Sequence, residues 1–244
     1  MGFIQSAGIL LGYYLLFLFI VPVLIRQTNI LSRETSRKFQ HFAFALSIFL
    51  LLELFADWFF ALAAMGLLLL VAFPALFLME RTRWYHYVLV DRTASGGELR
   101  RQLLLVQLSY GTLLTLFWGL GEGRLAYVAA TAVMAWGLGD AAAALAGKRF
   151  GQLRYRHRFF SKKKSYEGFG AMVFWSGAGI MLTLWLYGGL SLTVAIFCAV
   201  FTSPVSAFVE LASRKGFDTL TVPWATAAVL AIILFLFQTG GIPA

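Results

Sequence analysis

Trp136–Gly170 reads WGLGDAAAALAGKRFGQLRYRHRFFSKKKSYEGFG. Its first half is an apolar, small-residue helix holding one acid, Asp140. Its second half is a loop crowded with Lys and Arg that ends at Ser165, where another apolar run begins. A carboxylate inside a hydrophobic segment is costly, so it marks either a functional site or a paired buried group. Gly139, Ala143 and Gly147 recur every four residues, a spacing that lets a neighbouring helix approach closely. Asp140 on such a small-residue face suits a ligand pocket; the competing reading is a packing seam with Asp140 paired to an arginine.

The rest of the chain fits a membrane setting for this stretch. Of 244 residues, 60% are hydrophobic and 13% charged, and the mean hydropathy is +0.80, too apolar for a soluble domain. The fold class expected is all-α: a polytopic membrane helical bundle forming a single domain over residues 1–244. Apolar runs predict about eight transmembrane helices, at 3–25, 40–56, 58–79, 102–119, 124–146, 166–187, 190–212 and 220–238. The count is seven if the segments flanking Asp57 form one re-entrant hairpin. The first run has no basic stretch before it and no small-residue cleavage site after it, so it reads as a retained helix. Cys198, the lone cysteine, reads as a packing residue.

The formal net charge of +9 reports topology first. Assigning alternate loops to one side gathers 19 of the 20 Lys and Arg there and leaves only Arg124 opposite. Both termini are therefore expected to face outward, with the basic loops on the cytoplasmic face of the cell's inner membrane. Anionic lipid headgroups are the partners this charge implies; no nucleic-acid partner is expected, and no feature sets an oligomeric state. The loop Glu80–Gln102 mixes Trp84, Tyr85, Tyr87 and Leu89 with charges and reads equally as an interfacial amphipathic segment or a wet loop.

Four acids lie in or at the ends of apolar runs besides the loops: Glu53, Asp140, Glu167 and Glu210. Glu53, with Asp57, reads as interfacial. Glu210 ends the seventh run on the basic side and Asp218 follows eight residues later, so Asp140, Glu210 and Asp218 are expected to meet at one membrane face. Such oxygen ligands suit a hard cation such as Mg²⁺, which commonly bridges one or two carboxylates to substrate phosphates. A nucleotide with its metal fits this chemistry. Helix starts on the same side would offer free N–H groups to phosphates. Ser165 is the expected cap of the sixth helix, Thr219 or Thr221 of the last, with Pro223 in its first turn, and Ser36, followed by Arg37, Lys38 and His41, starts the second. For Arg154, Arg156 and Arg158 topology and headgroup contact suffice as an explanation; Lys164, beside a cap, is read as a phosphate contact. Gly147 and Gly151 bracket Lys148-Arg149-Phe150 without making a P-loop. His41 reads as a proton acceptor or as an interfacial polar residue, and His86 and His157 have no metal-ligand spacing.

Gly139-Asp140, Gly147-Lys148-Arg149-Phe150-Gly151, Lys164-Ser165-x-Glu167-Gly168, Glu210 and Asp218-Thr-Leu-Thr-Val-Pro223 together resemble the polyprenol kinase family, as does Arg37-Lys38-x-x-His41 near the N-terminus. That family comprises phytol, farnesol and dolichol kinases and CTP-dependent diacylglycerol kinases, and is related to phosphatidate cytidylyltransferase. The resemblance implies transfer of the γ-phosphoryl group of CTP, with Mg²⁺, to the hydroxyl of a membrane lipid alcohol. It implies Asp140, Asp218 and Lys164 as catalytic groups and Asp140, Glu210 and Asp218 as metal ligands. Nucleotide or phosphate contacts would come from Lys148, Arg149, Lys164, Ser165, Glu167, Gly168, Thr219, Thr221, Arg37, Lys38 and His41. Two positions depart from the pattern: Thr219 stands where the family usually has Asn, and Ala144 where phytol kinases often carry a second acid. The alternatives are a CDP-lipid synthase of the cytidylyltransferase type, whose longer C-terminal acidic signature is missing, and an anionic lipid carrier, in which the Lys-Ser-x-Glu-Gly block has no role.

Overall fold

The computed structural model describes residues 1–21, 23–24, 33–82, 85, 97–153, 155, 164–214 and 216–239. Among them every regular element is helical: α1 (Phe3–Tyr14), α2 (Arg33–Leu54), α3 (Trp58–Met79), α4 (Glu98–Leu113), α5 (Ala126–Arg149), α6 (Tyr166–Leu182), α7 (Leu192–Ala212) and α8 (Asp218–Thr239). Helices α1, α4 and α6 each run on into a wider π-helical turn, at Leu15–Ile20, Leu114–Gly119 and Thr183–Tyr187. Five segments are long and apolar enough to cross a membrane: α3, α5, α6 with its extension, α7 and α8. Such helices satisfy their own backbone polar groups, which hydrocarbon demands, and they mark an integral membrane protein.

The eight expected runs all appear as helices, of which α2, α4 and α8 start earlier than expected. Helix α2 begins at Arg33, not near residue 40, because its charged first two turns are invisible to hydropathy yet stabilised locally: Arg37 bonds Glu34 at 2.6 Å, one turn apart. Ser36 is consequently inside the first turn and does not cap the helix.

Contacts divide the chain into two compact units, Met1–Thr115 and Leu116–Ala244. In the first, polar groups tie apolar helices together. The Tyr14 hydroxyl and Ser47 Oγ lie 2.9 Å apart, Tyr110 donates to the Phe44 carbonyl at 3.1 Å, and Tyr13 donates to the Ala43 carbonyl. Between α3 and α4, Glu80 accepts from Gly97 N–H at 2.8 Å and pairs with Arg100 at 2.7 Å. Gly97 adopts φ +90 there, a conformation that favours glycine. Arg83, Arg92, Trp84, Tyr87 and Leu89 of the expected interfacial segment lie outside the described residues, as do Arg26, Arg154, Arg156, Arg158, Lys162, Lys163, Lys215, His86 and His157.

In the second unit α5 is the central helix, buried along Val128–Gly137 and again at Gly139 and Asp140, with α6, α7 and α8 packed on it. The small residues serve this packing. A Cβ on Gly139 would lie 2.5 Å from Met172 Sδ of α6, one on Gly168 3.0 Å from the Ala143 carbonyl, and one on Gly147 3.2 Å from Ser165 Oγ. The four-residue repeat of α5 is therefore the seam along which α6 approaches, with Asp140 on the same stretch beside Glu210 and Asp218. Deeper in the unit, Ser206 Oγ and Thr226 Oγ1 join α7 and α8 at 2.7 Å.

Candidate functional site

Four helices build the site, three of them with an end. The C-terminal part of α5, the N-terminus of α6, the C-terminus of α7 and the N-terminus of α8 bring Asp140, Glu210 and Asp218 together. One carboxylate oxygen from each lies within 4.8 Å of the other two. Asp140 and Glu210 are buried, at 6% and 8% exposure, and Asp218 is half-buried. Three carboxylates this close repel one another in a weakly polar setting, so the cluster requires positive charge. Lys164 supplies part of it: its Nζ lies 2.7 Å from Glu210 Oε1 and also donates to the Glu210 backbone carbonyl. That carbonyl belongs to the last turn of α7, where no intrahelical donor remains and a cation is favoured.

Lys164 is held in place by the loop that precedes α6. Tyr155 N–H donates to the Lys164 carbonyl and Tyr166 N–H to the Leu153 carbonyl, each at 3.1 Å, a two-rung antiparallel pairing. Glu167 closes the base, its Oε1 accepting from the N–H groups of Gln152 and Leu153 at 3.0 and 3.3 Å. Tyr155 stacks on Tyr166 with ring centroids 4.1 Å apart, and burial first, then the neighbouring Tyr166 and Glu210, push its phenol up. Ser165 caps α6 as expected, accepting from Gly168 N–H at 3.1 Å. Its hydroxyl sits over Gly147 and Gly168, where side chains would collide with it.

The start of α8 departs from expectation. The Phe217 carbonyl accepts from the N–H of Leu220 and of Thr221, so the helix starts at Asp218 and neither Thr219 nor Thr221 caps it. Thr221 Oγ1 bonds the Phe217 carbonyl and Ser213 Oγ instead, and Thr219 is buried in the first turn. Pro223 consequently falls in the second turn. Having no N–H, it leaves the Thr219 carbonyl, next to Asp218, without its helical donor.

The other expected contacts are placed as follows. Lys148 and Arg149 are exposed at the end of α5, about 12 Å of helical rise beyond Asp140, and the Arg149 guanidinium covers the Phe150 ring. Arg37, Lys38 and His41 share one face of α2 in the first unit, with Arg37 and Lys38 buried and Arg37 bound to Glu34. The pairing of Lys164 with Glu210 is what sequence reading missed, although both stood on the same predicted side with opposite charge. Glu167 was expected at a phosphate and is found on backbone N–H groups of its own loop.

The donor set fits a hard divalent cation: three carboxylates, no sulfur or imidazole among the clustered groups, in reach of a common centre. Asp140, Glu210 and Asp218 would hold it.

Comparison with known proteins agrees in kind. The chain is 34% identical over 146 residues to the phytol kinase of Synechocystis sp., an alignment covering 59% of this chain and 60% of that protein. The chain is thus similar to a phytol kinase over a stretch that spans less than two thirds of that protein's length. No family profile matches the chain, and no solved structure matches it.

Proposed function

From this kinship and the acid cluster, we propose that the protein is a prenol-type lipid kinase: it transfers the γ-phosphoryl group of a nucleotide, CTP by resemblance, to the hydroxyl of a membrane lipid alcohol. The observation that carries the reading is the convergence of Asp140, Glu210 and Asp218, with Lys164 bonded to Glu210, where α5, α6, α7 and α8 meet. Phosphoryl transfer needs positioning and charge stabilisation more than covalent chemistry by the protein, and this arrangement offers both. Mg²⁺, when bound, would neutralise phosphate oxygens and orient the nucleotide. The α6 N-terminus, with Ser165 and Lys164, would offer its positive end to the phosphates, and Lys148 and Arg149, exposed at the end of α5, would meet other parts of the nucleotide.

In the reaction the lipid hydroxyl oxygen bonds to the γ-phosphorus, and the bond from that phosphorus to the bridging oxygen breaks. Nucleoside diphosphate leaves with the electron pair. The hydroxyl proton passes to a carboxylate of the cluster, for which Asp218, the least buried of the three, is best placed. The active end faces the cytoplasm of the cell's inner membrane, where nucleotides are found and where the positive-inside pattern places the basic loops.

Purified protein, Mg²⁺, and a panel of phytol, farnesol, dolichol, diacylglycerol and phosphatidate are incubated with CTP labelled at the α or the γ phosphorus. Label from the γ position alone in extracted lipid is the expected result, and its chromatographic position identifies the alcohol. Label from the α position makes the protein a CDP-lipid synthase, and no label from CTP, ATP or GTP overturns nucleotide-dependent chemistry.

A further inference from the structure

Lys164 has two competing calls on its one charge. Its ammonium is bonded to Glu210 twice, at the carboxylate and at the carbonyl, yet Glu210 also belongs to the set of acids that would coordinate a cation. The two calls compete for one carboxylate. A divalent ion about 2.1 Å from Glu210 oxygen, with the ammonium still 2.7 Å from Oε1, would place two cations within a few ångströms in a buried setting, where their repulsion is strong. The bonds from Tyr155 N–H to the Lys164 carbonyl and from Tyr166 N–H to the Leu153 carbonyl hold the Lys164 main chain at the site from both sides. Only the side chain is left to change partner.

We propose that Lys164 is the resident counter-cation of the acid cluster, and that a divalent metal displaces it from Glu210. The inference rests on the metal-site reading above. The ammonium offsets part of the repulsion among the three carboxylates before metal arrives, which gives Lys164 a positioning role: it sets the threshold for metal loading by occupying Glu210. The displaced ammonium, on a four-carbon stem with a fixed base, remains beside the metal site, where phosphate oxygens are the nearest anions the reaction brings.

The test is Mn²⁺ binding to the purified full chain, read from the electron paramagnetic resonance of free Mn²⁺, without nucleotide or lipid. Lys164→Gln keeps a donor for the Glu210 carbonyl but removes the charge, and it is expected to bind Mn²⁺ about tenfold more tightly. Lys164→Arg, which keeps the charge, is expected to stay within about twofold of the unaltered chain. In a Glu210→Gln background the gain from Lys164→Gln should shrink to about twofold or less, as direct competition for Glu210 requires. An undiminished gain there would reduce Lys164 to a distant field and overturn its displacement. Unaltered protein that takes up no Mn²⁺ at millimolar concentration overturns the metal site itself. Uptake that Lys164→Gln fails to tighten overturns only the role given to Lys164. A second measurement needs no variant: acylation of Lys164, followed by mass spectrometry, should accelerate when Mn²⁺ is added, and an unchanged or slower rate overturns the displacement.

Discussion

At the scale of single residues, the site is defined by what each buried charge faces. Asp140 is 6% exposed and shares a centre with Glu210 and Asp218, so removing its charge removes a ligand as well as an electrostatic anchor. Asp140→Asn, nearly identical in shape, is expected to lower transfer at least about a thousandfold with membrane insertion and purification unchanged. Glu53→Gln, at an exposed position and no part of the site, should turn over normally. Comparing kcat of the two variants, each normalised to detergent-solubilised protein, decides it, and substantial turnover by Asp140→Asn would remove this acid from the site. Asp140 and Glu210 were legible in the sequence because carboxylates stand out against hydrocarbon, and Asp218 because it follows Glu210 by eight residues on the same side. The partner of Lys164 was not, since a lysine beside a helix cap reads as a phosphate contact, and its reach to the end of α7 is a tertiary fact.

At the scale of elements, the crossing of α5 and α6 decides whether the site assembles. Gly168 lies where a methyl group would meet the Ala143 carbonyl at 3.0 Å and Ser165 Oγ at 3.3 Å. Backbone cannot yield as a flexible side chain can. Gly168→Ala is expected to destabilise by about 1–3 kcal/mol, while Gly170→Ala, with open space around its Cβ, should be neutral or stabilising by up to about 1 kcal/mol through helix propensity. Thermal unfolding in one detergent would show the contrast as a lower midpoint for the first variant only; equal midpoints would mean that α6 does not press on α5 here. Ser165→Ala, which deletes the α6 cap bond, should cost about 1 kcal/mol in the same assay. Small-residue spacing made this crossing readable, and the cap at Ser165 followed from a hydroxyl placed before an apolar run. Two helix starts were misread for a common reason: hydropathy finds where apolar runs begin, and α2 starts in charged residues while α8 starts at Asp218, leaving Thr219 and Thr221 inside it.

At the scale of the whole molecule, charge distribution makes a claim about sidedness that length and apolarity cannot. Five helical segments suffice to span by composition, and the three remaining helices carry charge or are short, so the number of crossings turns on α1, α2 and α4. If all eight cross, an even count returns the chain to its starting side, and the lone Arg124 shares that side with both termini. Arg149, at the end of α5, then lies opposite with the acid cluster. With Cys198 replaced by Ala to remove the native thiol, Gly2→Cys and Arg124→Cys should react with a membrane-impermeant maleimide on intact cells. Arg149→Cys, exposed in the structure, should react only after permeabilisation. Labelling of Gly2→Cys only after permeabilisation, with Arg124→Cys still reached from outside, would mean an odd number of crossings before Arg124, with one of α1, α2 and α4 lying outside the hydrocarbon; a hairpin at Asp57 that enters and leaves on one face would keep the count even. Labelling of Arg149→Cys from outside would place the acid cluster away from the cell's nucleotides and sink the kinase topology, because the positive-inside rule and the phosphoryl donor require the same side.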